Sequence, residues 1–188
     1  LPSTVDFEGP NSSLSKRQGL IRYERKINDF NSFGVSIESP QTDYYNPADT
    51  LIEGRNIQGN FDIAGRLKKE HSWGHIQLAG VFRRIAYLKY NEIDNLYGWG
   101  VLLSSIIKFK PEHNLYLQYS AGEGLANYYV GFIGRGLDAV YDPLSQKMTL
   151  KSIHGGFATY TYFMNPLWRF SATVGLSFMK NKDFEPID

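Results

Sequence analysis

Apolar and polar positions alternate through residues 60–87, NFDIAGRLKKEHSWGHIQLAGVFRRIAY. The alternation covers two runs, which are separated by the polar stretch HSWG. Successive side chains of a β-strand point to opposite faces of the sheet, so each run has one apolar and one largely polar face. The stretch therefore predicts a β-hairpin whose apolar face carries Phe61, Ile63, Leu67, Ile76, Leu78 and Phe82.

The same alternation recurs and predicts about eight strands. Their approximate ranges are 17–26, 33–39, the two runs within 60–87, 97–109, 115–121, 152–164 and 168–179. The last strand is the most regular. For 97–109 both faces are nearly equally apolar, and in 152–164 the rings of Phe157 and Tyr160 fall on opposite faces. The pattern leaves open which face of these two strands is the apolar one.

The connections between the predicted strands are unequal in a regular way. Short turns fall near residues 28–31, 70–74, 111–114 and 165–167, and longer connections near 40–59, 89–96 and 122–151. In an up-and-down sheet all tight turns then lie at one end and all long loops at the other. The longest connection is either a surface loop or a loop that folds inward with Arg135 and several tyrosines and narrows a pore; loops of this length are usually functional or mobile.

Aromatic residues stand at both ends of the apolar faces, as in the pairs Trp99 and Phe109, and Trp168 and Phe178. Strands of about ten residues, paired aromatic positions and unequal loops are typical of outer-membrane barrels. We predict an all-β fold, an antiparallel up-and-down transmembrane β-barrel, with residues 1–188 as a single barrel segment. The alternative is a soluble β-sandwich or barrel binding module, in which the same rings would fill a core.

Composition narrows the function classes. The 188 residues include 13 Tyr, 12 Phe, 3 Trp and 18 Gly, which suits sheet and tight turns. The formal charge of +1 does not indicate a nucleic-acid partner. Because cysteine is absent, disulfides, thiol catalysis and thiolate metal sites are excluded.

Catalysis is not expected. The four histidines are His71, His75, His113 and His154, and none lies in a nucleophile elbow or in a metal-binding spacing such as HExxH. The stretch GRGLD at 134–138 lacks the lysine of a phosphate-binding loop. We therefore predict that the protein is not an enzyme and that it uses no metal or cofactor.

Charged residues concentrate on the face opposite the aromatic residues. If the aromatic face meets lipid, the other face lines a water-filled passage. Six bases and four acids are expected there. A basic wall lowers the electrostatic cost of bringing an anion out of bulk water, and Arg offers a carboxylate two parallel hydrogen bonds. The alternative is that these charges pair across neighbouring strands. The candidate pore-lining residues are Arg22, Arg66, Lys68, Arg83, Lys108 and Arg169, with the acids Glu24, Glu38, Asp62 and Glu70.

Three patches in the chain resemble the DcaP-like porins of Gram-negative outer membranes: LPSTVDFEGPNS at 1–12, WGHIQLAGVFRR at 73–84 and YSAGEGLANY at 119–128. The family consists of trimeric 16-stranded channels associated with uptake of dicarboxylates and related small organic anions. The resemblance implies an outer-membrane porin, a homotrimer in contact with outer-membrane lipid and lipopolysaccharide, and small organic anions as solutes.

Two features depart from the family pattern. About eight strands are half of such a barrel, and the family's N-terminal helical segment and closing strands have no counterpart. The chain also ends in a polar tail at 181–188 without a terminal aromatic residue. We interpret the chain as an interior fragment of a porin. A complete eight-stranded barrel is the alternative, and its interior would be filled by side chains and would not conduct.

Overall fold

The computed structural model describes residues 10–15, 18–39, 43–45, 52–53, 61–89 and 92–182. Most of the predicted 40–59 connection, of the 1–12 patch and of the polar tail lies outside this range. The strands are β1 (Leu20–Lys26), β2 (Asn31–Glu38), β3 (Tyr44–Tyr45), β4 (Ile52–Glu53), β5 (Asp62–His71), β6 (Gly74–Lys89), β7 (Glu92–Lys110), β8 (His113–Glu123), β9 (Ala139–Asp142), β10 (Lys147–Leu150), β11 (Ser152–Asn165) and β12 (Trp168–Met179). Two 3-10 helices, Ala126–Tyr128 and Val130–Phe132, follow β8.

Eight long strands form one antiparallel sheet in the order β1-β2-β5-β6-β7-β8-β11-β12, and β4 pairs with the end of β6. Apart from the short strands within two connections, neighbours in the sheet are neighbours in the sequence. The predicted all-β, up-and-down topology is therefore confirmed. Among the described strands the sheet is open, since β1 pairs with β2 and β12 pairs with β11 at its two edges.

The register of the sheet gathers the apolar side chains on one face. A continuous row of cross-strand partners shows this alignment: Tyr23, Val35, Gly65, Gly80, Val101, Ala121, His154 and Phe178. The large side chains of this apolar face are exposed, with Trp168 at 69% and Phe178 at 55%. The aromatic residues therefore do not lie in a core between two packed sheets. We refer to the opposite side of the sheet as the polar face.

Two strands run further than the sequence pattern predicted. The expected loop at 89–96 is largely strand, because β6 pairs with β7 from Gly74↔Ile107 to Lys89↔Glu92. The extension is stabilised by contacts distant in sequence. Tyr87 packs with Ala139 and Met148 in an apolar cluster, and its hydroxyl donates a hydrogen bond to Asp94 Oδ2 at 2.7 Å.

The structure also resolves the ambiguous strand at 152–164. In β11, Phe157 lies on the polar face and is 6% exposed, whereas Tyr160 lies on the apolar face and is 37% exposed. A large apolar residue is accommodated on the polar face because other parts of the chain cover it there. Two small apolar clusters lie on this side, one around Tyr87, Ala139 and Met148 and the other around Leu125, Tyr129 and Ile153.

Candidate functional site: the covered polar face

The long connection predicted at 122–151 packs against the polar face of the sheet. We call residues 124–151 the covering segment. It contains the two 3-10 helices and the β9–β10 hairpin, and β3 adds to β9 in parallel. Of the two alternatives left open by the sequence, a surface loop or an inward-folding loop, the contacts described below support the second.

Residues 10–15 lie beside the covering segment on the polar face of the sheet. Leu14 pairs with Tyr129 in an antiparallel bridge. The Val130 amide donates to the Ser13 carbonyl at 3.0 Å, and the Gly131 amide donates to the Asn11 carbonyl at 3.1 Å. These backbone hydrogen bonds attach the covering segment to the residues that precede β1.

Glycines on the polar face create the space that the covering segment and residues 10–15 occupy. A Cβ atom at Gly100 or Gly122 would overlap the side chain of Leu125, and one at Gly175 would overlap the Ser12 hydroxyl. Glycine lets another part of the chain approach a strand closely. The signal was present in the sequence as glycines at polar-face positions, but alternation alone does not distinguish them from ordinary small residues.

Arg83 is the centre of a buried charge cluster where the covering segment meets the sheet. Its Nε lies 3.0 Å from Asp62 Oδ2 and its Nη1 lies 3.2 Å from Asp138 Oδ2. All three side chains have 0% exposure. Arg83 also donates a hydrogen bond to the Gly124 carbonyl, and its guanidinium carbon lies 4.8 Å from the centre of the Tyr128 ring. Asp62 and Arg83 come from the sheet, whereas Asp138, Tyr128 and Gly124 come from the covering segment.

Further hydrogen bonds hold Asp138 and Tyr128, the two covering-segment side chains that contact Arg83. Asp138 accepts hydrogen bonds from the amides of Asn127 at 2.9 Å and Asp43 at 3.2 Å. Burial raises the pKa of the Asp138 carboxyl, and the neighbouring Arg83 opposes that shift. Burial and the nearby Asp62 carboxylate raise the pKa of Tyr128. Its hydroxyl therefore stays protonated and donates to Asp62 Oδ2 at 2.8 Å.

All six predicted pore-lining residues occupy the polar face, but their environments differ. Arg83 is completely buried beneath the covering segment. Arg22 and Arg66 both contact Glu24, at 3.4 and 2.9 Å, and Lys68 contacts Glu70 at 2.5 Å. These three charges are paired with acids, as in the alternative stated above. For Lys108 and Arg169, the described part of the chain offers no acid within 4.0 Å.

Arg22 and Arg66 are thus the pair that the fold brings together, on either side of Glu24. Lys68 lies two positions from Arg66 on β5, and Lys108 and Arg169 belong to β7 and β12. The sequence prediction missed Asp138, Tyr128 and Leu125. No local pattern marks them, because their role depends on the covering segment folding back onto the sheet.

Three of the four histidines pack on aromatic rings. His71 stacks on Trp73, His113 stacks on Tyr162, and His154 stacks on Phe178, with ring centroids 4.7, 4.8 and 5.4 Å apart. His113 Nδ1 also lies 2.6 Å from the Tyr160 hydroxyl. Within the described ranges, no group of three or more His, Asp and Glu residues is arranged to hold a metal ion.

The fold of this two-faced sheet is similar to that of a solved outer membrane channel. The chain matches the crystal structure of the outer membrane channel DcaP of Acinetobacter baumannii with a TM-score of 0.73. The match covers 95% of this chain and 49% of that channel, at 16% sequence identity. The fold is that of an outer-membrane channel.

The likeness to DcaP concerns the fold, and this chain spans about half the length of that channel. No protein-family model matches the sequence, and no curated protein matches it. The predicted DcaP-like architecture is therefore confirmed at the level of the fold. An eight-stranded open sheet agrees with half of a larger barrel-type sheet.

Proposed function

We propose that this chain forms about half of the wall of an outer-membrane channel through which small organic anions, including dicarboxylates, diffuse. The observation that carries the proposal is the two-faced sheet: exposed aromatic and aliphatic side chains cover one face, and arginines and lysines lie on the other. A membrane-spanning sheet needs this division, since lipid contacts one face and water the other. The channel fold of DcaP supports the same interpretation.

Anion preference follows in this proposal from the exposed bases of the polar face. Lys68 would add little, because Glu70 lies 2.5 Å from its Nζ. Lys108 and Arg169 would contribute positive potential to the passage, as would Arg22 and Arg66, which share one acid, Glu24. Arg83 would not, because Asp62 and Asp138 neutralise it in a buried cluster. We assign Arg83 instead to anchoring the covering segment, which would narrow the passage on this side.

Reversal potentials in a salt gradient test the proposal. The full-length protein in planar bilayers should be anion-selective. Replacing Arg66 or Lys108 with Gln should lower the anion-to-cation permeability ratio, because each change removes one positive charge from the wall. Glu24→Gln is the matched opposite change: it frees Arg22 and Arg66 from their acid and should raise the ratio. Cation selectivity, or the absence of channels, would reject the proposed function.

Trimeric assembly and contact with outer-membrane lipid and lipopolysaccharide belong to the same proposal, and they rest on the sequence resemblance. The mass of the full-length protein in detergent, measured by light scattering with the detergent contribution subtracted, tests the trimer. Catalysis is not part of the proposal; His71, His113 and His154 of the apolar face pack against aromatic rings.

A further inference from the structure

A cavity of about 260 Å³ lies between the polar face of the sheet and the covering segment. Small side chains of three adjacent strands form its floor: Ala64 of β5, Ala79 of β6 and Gly100 of β7. Leu125 of the covering segment lies directly over Gly100. The volume is slightly below the roughly 300–1,000 Å³ of pockets for drug-sized molecules, so the cavity suits a small solute with a short apolar chain.

Glu38 is an acid at one end of this cavity, where its side chain is partly exposed. Its two oxygens accept hydrogen bonds from Gln18 at 2.5 Å and from the Ser36 hydroxyl at 2.6 Å. A carboxylate has room for about four hydrogen bonds, so acceptor capacity remains. Within the described ranges, no basic side chain lies within 4.0 Å of Glu38. The Glu38 carboxylate can therefore accept a cationic group of a solute.

The buried charge cluster adds negative charge at the same end of the cavity. Glu38 is the cross-strand partner of Asp62. Asp62 and Asp138 both pair with Arg83. Three acids therefore accompany one base among the described residues of this end. Because unlike charges attract, the surplus of acids favours a solute that places a positive charge beside Glu38.

Two bases line the cavity further along β2. Arg22 is the cross-strand partner of Ser36, and Arg66 is the partner of Gly34. Arg22 and Arg66 share one acid, Glu24, at 3.4 and 2.9 Å. Their side chains are 43% and 33% exposed, so a solute can reach both guanidinium groups. This end of the cavity therefore favours a carboxylate, and the described ion pairs include none between either arginine and Glu38.

We infer that this cavity is a binding subsite for small zwitterionic solutes, namely ω-amino acids, which carry an ammonium group and a carboxylate at opposite ends of a short apolar chain. Glu38 accepts hydrogen bonds from the ammonium group, and Arg22 and Arg66 donate to the carboxylate. The floor of small side chains contacts the methylene groups between them. The inference goes beyond the proposed passage of anions, and it rests on that function only for the route by which solutes reach the cavity.

The probes are 5-aminopentanoate, pentanoate and pentylamine, because they share a five-carbon chain and differ in their charged ends. Saturation-transfer NMR on the full-length protein in deuterated non-ionic detergent measures their binding without requiring conduction, and protein-free micelles provide the blank. The zwitterion should bind about tenfold more tightly than pentanoate, the factor expected for one hydrogen bond between charged groups. It should exceed pentylamine by a similar factor, because pentylamine lacks the carboxylate that the arginines bind.

Two matched variants separate the subsite from general charge effects. Glu38→Gln removes the acid of the cavity with little change of shape, so it should abolish the preference for 5-aminopentanoate over pentanoate. Glu70→Gln removes an acid of the polar face that does not line the cavity, and should leave the preference intact. Measurements at about 0.15 M salt, where the screening length is about 8 Å, limit the effect of distant charges.

Arg22→Gln tests the opposite end of the cavity. It should weaken the binding of 5-aminopentanoate and pentanoate by the same factor, because both solutes carry the carboxylate. A loss confined to one of the two solutes would contradict a shared carboxylate position. Retention of heat-modifiable migration in gels identifies the variants that have folded.

The outcomes distinguish the subsite from the channel. Equal binding of 5-aminopentanoate and pentanoate, or a preference that persists in folded Glu38→Gln, overturns the subsite even when the channel is anion-selective. Loss of the preference in both Glu38→Gln and Glu70→Gln also overturns it, since the cause would then be general negative charge. Loss in Glu38→Gln alone supports the subsite. Failure of the proposed function is detected separately, as absent or cation-selective current in the bilayer experiment.

Discussion

Two arginines on adjacent strands of the same face, Arg66 and Arg83, have opposite environments. Arg66 remains partly exposed beside Glu24, whereas Arg83 is buried between Asp62 and Asp138. Exposed ion pairs contribute little to stability, whereas removing one partner of a buried pair leaves an uncompensated charge. Residue type and strand face are therefore not enough to assign a role to a basic residue of the polar face.

This difference predicts unequal effects of the same substitution. Arg83→Met should lower the free energy of unfolding by about 3–5 kcal/mol, because two carboxylates would remain buried without their cation. Arg66→Met is the matched control and should lower it by at most about 1 kcal/mol. Urea unfolding of the protein in lipid vesicles measures both values. Similar losses for the two variants would show that the buried cluster does not stabilise the fold.

At the scale of elements, the covering segment depends on specific features of the strands beneath it. Gly100 and Gly122 leave room for Leu125, and the β9–β10 hairpin packs on the extended end of β6 through Ala139, Met148 and Tyr87. The segment is therefore attached at several points rather than lying loosely over the sheet. Close contacts with the strands of the sheet set the position of the covering segment.

Gly100→Val tests this attachment. The new side chain would overlap Leu125, so the covering segment should shift away from the sheet, with an overpacking cost of about 1–3 kcal/mol. If the segment narrows the passage, single-channel conductance should rise. Gly80→Val is the matched control, since a Cβ there meets its nearest atom, the Gly100 carbonyl oxygen, at an ordinary 3.5 Å. An unchanged conductance in a folded Gly100→Val channel would contradict a narrowing role.

At the scale of the whole molecule, the two faces of the sheet differ in chemistry: one is apolar and the other is polar. Val174 and Leu176 of β12 are 64% and 63% exposed on the apolar face, and the intervening residues belong to the polar face. On the polar face, Thr159 and Thr173 pair through their hydroxyls at 2.9 Å. Neighbouring residues of one strand should therefore respond oppositely to charge if one face contacts lipid.

Val174→Arg and Thr173→Arg place the same charge on the two faces near the middle of β12. In a lipid bilayer Val174→Arg should destabilise folding by about 2–4 kcal/mol, the cost of an arginine at the bilayer midplane. Thr173→Arg should cost much less, because its side chain would remain in water. Urea unfolding in lipid vesicles measures the difference. Equal costs for the two variants would contradict a lipid-facing apolar surface.

The periodicity of the sequence determined the strands, their order and the two faces of the sheet, because alternation and tight turns are local properties of the chain. It placed Trp168, Phe178 and the six bases on their correct sides. The tertiary structure alone decided the length of β6 and β7, the orientation of β11 and the burial of Arg83. The extended ends of β6 and β7 and the burial of Arg83 depend on residues 124–151 folding back onto the polar face, and the orientation of β11 follows from its pairing with β8 and β12. Contacts between distant parts of a chain leave no periodic signal in the sequence.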